Sequence, residues 1–161
     1  MKKLLVLTLL LSMMAACKKK MKENIVRYKV DGMERTVKGA YSRINFKGID
    51  YGVLNGKFGF SAYTSAGDYI SVGGFDNNLS SGQYLEFDSS MFNNSTNRMF
   101  LYKHLPSGQT IGFSSYKGKS GGIVLNKNDN QVISGTFSGM LYTYNKTDSI
   151  YISAGYFYLN K

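Results

Sequence analysis

Glu86 and Asp88 stand one residue apart in Tyr84-Leu85-Glu86-Phe87-Asp88, so on an extended strand both carboxylates face one side about 7 Å apart. That pairing suits a glycoside hydrolase, where one carboxyl group acts as acid and its neighbour as base or nucleophile. Nothing else in the sequence adds to the pair, and a solvated strand end accounts for the same two residues. A Ser-His-Asp arrangement would have to recruit His104, the single histidine, which lies near Pro106 in an expected loop where an exposed or satisfied histidine is expected. Lys117-Gly118-Lys119-Ser120 ends like a phosphate-binding loop, but Phe113 stands where the first glycine is needed and no helix pattern follows. Asp76-Asn77-Asn78 and Asn128-Asp129-Asn130 offer oxygen ligands of the kind calcium takes, and both read first as turns. One Cys and one His do not supply the three or four ligands of the common zinc sites, and no catalytic residue, metal or cofactor is expected.

The remaining reactive side chain is the thiol of Cys17, and its surroundings explain it. Residues 1–16 begin with Lys2 and Lys3, continue with an apolar run from Leu4 to Leu11, and end in Ala15 and Ala16. This is the layout of a secretory signal. As a helix, Leu4 to Ala16 covers only about 20 Å of a hydrocarbon layer about 30 Å thick, too little to span it. Met14-Ala15-Ala16-Cys17 resembles the lipobox of bacterial lipoproteins, with Met14 where the pattern usually has Leu. The resemblance implies cleavage between Ala16 and Cys17 and a diacylglycerol thioether on Cys17, which also removes an unpaired thiol from an oxidising compartment.

The expected organisation is a signal peptide over 1–16, a lipidated Cys and basic tether over 17–24, and a single all-β domain over 25–161. Loss of the signal leaves 18 Lys and Arg against 10 Asp and Glu, a net charge of +8. Setting the tether aside leaves 14 against 9, or +5, so the basicity is concentrated at the front. Tether cations near anionic head groups are worth about 1 kcal/mol each. Within the domain, Lys and Arg are scattered and form no basic stripe, so no nucleic-acid partner is expected.

From Ile25 onward, short runs rich in Val, Ile, Thr, Tyr and Phe are punctuated by Gly, Asn, Asp and Ser. This predicts an antiparallel β-sandwich of about ten short strands, with a closed lipocalin-like β-barrel as the alternative. Asp31-Gly32 between two extended runs predicts a type I′ hairpin, and Asn55-Gly56, Lys127 to Asn130 and Asn145 to Asp148 are further turn signals. Predicted strands include Tyr41 to Phe46, Tyr51 to Asn55, Lys57 to Thr64 and Tyr69 to Phe75. Strict alternation puts Ile133, Gly135, Phe137, Gly139 and Leu141 on one face. In the last strand it groups Tyr151, Ser153, Gly155, Phe157 and Leu159. Asp88 to Asn97 and Lys103 to Gln109 read as loops. The 13 tyrosines and 10 phenylalanines serve mainly as core and cross-strand pairs, although a tyrosine ring is also suited to stack on a sugar or line a pocket.

The Tyr28-Lys29-Val30-Asp31-Gly32 hairpin, Gly82-Gln83-Tyr84-Leu85 and Ile133-Ser134-Gly135-Thr136-Phe137-Ser138-Gly139 occur in that order, before a last strand ending near Gly155-Tyr156-Phe157. Together with the lipobox they resemble small β-sheet lipoproteins of the Bacteroidota. That resemblance implies a β-sandwich held at the outer membrane by its lipid. With Glu23 the single acidic residue of the 17–24 tether, it implies a periplasm-facing anchor. Asp148-Ser149-Ile150 is similar to the O-glycosylation acceptor of the same phylum. The expected role is non-catalytic binding, with the membrane engaged through Cys17 and an envelope protein or glycan as partner. A small-ligand carrier with a Tyr- and Phe-lined barrel cavity is the second expectation, and a hydrolase using Glu86 and Asp88 the third.

Overall fold

The computed structural model describes residues 22–76, 78–87, 97–116 and 121–161, with the side chain of Leu54 excepted. Cys17, Asp88 and Lys117 to Ser120 lie outside the described residues. Eleven strands form the domain: β1 (Ile25–Val30), β2 (Met33–Lys38), β3 (Gly48–Leu54), β4 (Lys57–Tyr63), β5 (Tyr69–Asp76), β6 (Tyr84–Glu86), β7 (Arg98–His104), β8 (Thr110–Ser114), β9 (Gly122–Asn128), β10 (Val132–Tyr142) and β11 (Ser149–Asn160). Pairing runs β2-β1-β11-β10-β8-β7-β5-β4-β3, with β9 on β10 and β6 on β9. Every strand pair is antiparallel.

The join between β10 and β8 is a single pair, Tyr142 with Ser114, and there the sheet folds over on itself. One layer holds β2, β1, β11, β10, β9 and β6; the other holds β8, β7, β5, β4 and β3. Phe60 of β4 packs its ring 5.9 Å from Phe137 of β10 and 4.9 Å from Phe157 of β11, which bridges the layers. Phe58, Phe75, Ile70, Leu101, Ile123 and Leu141 fill the rest of the interface. Each such side chain contributes about 1.5–3 kcal/mol by leaving water. This is an all-β antiparallel sandwich. The closed-barrel alternative is not realised, because β2 and β3 form no ladder; the backbone beyond β2 meets β3 only where Ile49 donates to Gly39 and accepts from Tyr41.

Local chemistry sets the turns. Asp31 and Gly32 both take positive φ, 50° and 77°, and Asn55 and Gly56 do the same at 51° and 73°, as type I′ turns require. Two expectations need correction. Tyr41 to Phe46 is not a strand: Ser42 and Lys47 close a tight projecting loop, with Phe46 in left-handed conformation at φ 47°. The alternation of β11 also breaks. Ile150 and Ile152 point inward, then Gly155, Phe157 and Leu159 do, because Ala154 at φ 49° is an extra residue that shifts register against both β1 and β10.

Candidate functional site

The outer face of β3, β4, β5 and β7 carries the most distinctive surface. Because Phe58, Phe60 and Ala62 point into the core, Lys57, Gly59, Ser61 and Tyr63 must point out; the same parity turns Tyr69, Ser71 and Gly73 outward on β5. Register then lines up three rungs across four strands. Gly52, Gly59, Gly73 and Arg98 form one, Asp50, Ser61, Ser71 and Phe100 the next, and Gly48, Tyr63, Tyr69 and Tyr102 the third.

The result is a trough with a bare floor and an aromatic wall. The glycine rung contributes no side chains, and Gly59 and Gly73 lie so close that a Cβ on Gly73 would stand 3.0 Å from the Gly59 Cα. An open hollow of about 490 Å³ follows from this, and a second of about 230 Å³ shares Ser61, Ser71 and Arg98 with it. Asp50 and Arg98 mark opposite sides, separated by three strand spacings of about 4.8 Å each. Ser61 Oγ donates to Ser71 Oγ at 3.0 Å on the floor between them.

The wall is a stack of tyrosines. Tyr63 and Tyr69 stack at 5.0 Å, Tyr69 and Tyr102 at 4.7 Å, and Tyr41 adds a tilted ring 4.6 Å from Tyr63. Stacked on one another, the inner rings have no free face for a sugar; they present edges and a row of hydroxyls. Burial, then the neighbouring phenols of Tyr102 and Tyr63, push the Tyr69 hydroxyl up to about 12. Arg98 lies over the Phe100 ring at 5.3 Å. Among the described residues the ion pairs are Arg35 with Asp68, Lys103 with Asp31 and Lys127 with Asp129, so Arg98 meets no carboxylate there. The trough thus combines donors, small hydroxyls and approachable backbone.

The other sequence candidates scatter. Glu86 is exposed at the end of β6 and lines neither hollow, while its expected partner Asp88 is outside the described residues. His104 donates its backbone N–H to Asp68 Oδ1 at 2.6 Å, and its Nδ1 lies 3.2 Å from Thr110 Oγ1, as a strand-end histidine with its bonds made. Asp76 Oδ1 accepts from the Asn78 backbone, with Asn77 outside the described residues, and Asp129 Oδ1 accepts from Gln131 and Val132, as a turn at 129–132 requires. The Lys127 ammonium and those two amides hold Asp129 down to about 2. Among the described residues no three His, Cys, Asp or Glu side chains group to hold a metal ion. Asp148 and Ser149 are exposed at the start of β11, joined by a Ser149 N–H to Asp148 Oδ1 bond of 2.8 Å.

The sequence reading missed the tyrosine wall and Arg98. Outward parity of Tyr63 and Tyr69 was available from the alternation of β4 and β5, but their alignment with Tyr102 needs the cross-strand register. No family model matches the chain, and no curated protein and no solved structure matches it.

Proposed function

We propose that this chain is a lipid-anchored, non-catalytic binding module of the bacterial cell envelope, tethered through Cys17 and holding its ligand in the trough beside the tyrosine wall. The observation that carries the binding half is the alignment of Gly52, Gly59 and Gly73 into a bare floor flanked by Tyr63, Tyr69 and Tyr102. Gly59 and Gly73 also serve the bulge where the β4–β5 register shifts, but Gly52 has nothing within 4 Å of its Cβ position, so packing does not require a glycine there. The lining suits an extended polar chain, a glycan or a peptide segment of an envelope protein, bound by hydroxyls, backbone groups and Arg98.

The carrier alternative is less well supported, because the layers are filled by phenylalanines and both hollows open on the outer face. Two measurements test the proposal. Cys17→Ala is expected to move the protein from the membrane to the soluble fraction, and unchanged fractionation would contradict the anchor. Tyr102 is expected to be shielded from labelling in native envelopes, and equal labelling of the purified protein would contradict the trough.

A further inference from the structure

The projecting loop between β2 and β3 exposes two large apolar side chains at its tip. Ile44 is 90% exposed and Phe46 71%. Arg43 and Lys47, both exposed, flank them. The loop is built rather than loose: the Ser42 N–H donates to the Lys47 carbonyl at 2.9 Å, and Tyr41 is fastened to Ile49 at 3.0 Å. Phe46 is held at φ 47°, a region costly for an aromatic residue and favourable for Asn or Gly. A strained backbone that displays an apolar pair between two cations calls for something that covers it.

The position of the tether says what that is. Gly39, three residues before Ser42, donates its N–H to the carbonyl of Asn24 at 3.0 Å. Asn24 is in turn fixed by Asn160, whose backbone N–H and side-chain amide both donate to Asn24 Oδ1 at 2.8 Å. The Asn160 amide also donates to the Lys22 carbonyl at 2.7 Å. The tether therefore passes the base of the loop at Asn24 and lies at the end of β11 by Lys22, whose ammonium is 4.4 Å from the Tyr158 ring, at the same end of the domain as the loop. From Asn24 back to Cys17 is seven residues, which reach at most about 25 Å. A bilayer holding the acyl chains of Cys17 is therefore within about 25 Å of the loop's base at Gly39.

We infer that the 42–47 loop is a membrane-docking tip: Ile44 and Phe46 enter the interface of the bilayer that holds this chain's own lipid, while Arg43 and Lys47 meet anionic head groups. Apolar side chains in the acyl boundary with cations at head-group level are the arrangement by which peripheral segments bind membranes. Two contacts, the lipid and the tip, would then fix the orientation of the domain and hence the direction in which its trough opens. The inference rests on the anchor proposed for Cys17.

The chain has no tryptophan, so one introduced residue reports a single site. The full-length lipidated protein carrying Phe46→Trp would be reconstituted into vesicles of phosphatidylethanolamine and phosphatidylglycerol, with and without bromine-labelled acyl chains. Tyr144→Trp, on the β10-β11 turn and 72% exposed in the native residue, serves as the comparison. The expected result is blue-shifted, bromolipid-quenched emission at position 46 and unquenched, solvent-like emission at 144. Solvent-like emission at 46, or equal quenching at both positions, overturns the inference. Should Phe46→Trp not fold, Ile44→Trp carries the same test from an unstrained position. Phe46→Asn in the Ile44→Trp background is expected to abolish quenching without lowering thermal stability; unchanged quenching overturns the role of Phe46. Failure of the anchor reads separately, as Cys17→Ala protein that stays with the membrane.

Discussion

Phe157 stands directly across from Gly135 on the paired strand and lays its ring over that residue's bare backbone. The relationship is reciprocal, since Phe137 is paired with Gly155 in the same ladder and covers it in the same way. Both rings then meet Phe60 from the opposite layer. The two glycines thus let the central phenylalanines lie down against the sheet, and this sets the spacing between the layers at the middle of the sandwich.

Gly155→Ala tests that arrangement. A Cβ at position 155 would stand 2.3 Å from the Phe137 carbonyl oxygen and 2.6 Å from its ring, so backbone as well as side chain must move. Overpacking of this kind costs about 1–3 kcal/mol, and urea denaturation is expected to show a loss in that range. Gly52→Ala is the control. Nothing lies within 4 Å of its Cβ position and glycine is the weaker strand residue, so Gly52→Ala should leave stability unchanged or raise it slightly.

Tyr28 offers the opposite sign. Its hydroxyl is buried and has no hydrogen-bond partner among the described residues. Burial pushes its ionisation upward, the Asp68 carboxylate adds to the shift and Arg35 opposes it, so the phenol stays neutral. An unsatisfied buried hydroxyl costs about 1–3 kcal/mol, so Tyr28→Phe is expected to leave stability unchanged or raise it by about 1 kcal/mol. A loss above about 1 kcal/mol in the same denaturation experiment would show that the hydroxyl is satisfied.

The tyrosine wall makes a prediction in pH. A raised folded-state value means that the fold favours the protonated Tyr69 phenol. Its contribution is full below the ordinary value of 10.0 and is lost as pH climbs through about 12. Tyr69 should therefore ionise above the ordinary tyrosine value, observed as the chemical shift of its ring carbons by NMR. Tyr102→Phe should lower the Tyr69 transition, because the Tyr102 phenol is one of the causes of the shift.

Much of the fold was legible because local rules decided it. Asp31-Gly32 and Asn55-Gly56 fixed two hairpins outright, and alternation in Lys57 to Tyr63 gave the inward face of β4. Alternation failed in β11, where Ala154 inserts an extra residue that no strand-forming preference announces. Tyr41 to Phe46 has strand-like composition, yet pairing of Ser42 with Lys47 turned it into a loop, and that pairing depends on how β3 meets the end of β2. The trough was illegible for a similar reason. Gly52, Gly59, Gly73 and Arg98 come from four strands, and only the assembled register makes them one rung.

The most direct test of the account is hydroxyl-radical footprinting of the wild-type protein in native envelopes and after purification. Tyr102, 38% exposed at the open end of the wall, is the reporter, and Tyr144, on a turn away from the trough, is the internal standard. The account predicts that Tyr102 labelling relative to Tyr144 falls several-fold in the envelope, and that Gly52→Val, which puts a side chain into the trough floor, restores it. Equal relative labelling of Tyr102 in the two preparations, with the protein shown to be membrane-bound, would contradict it.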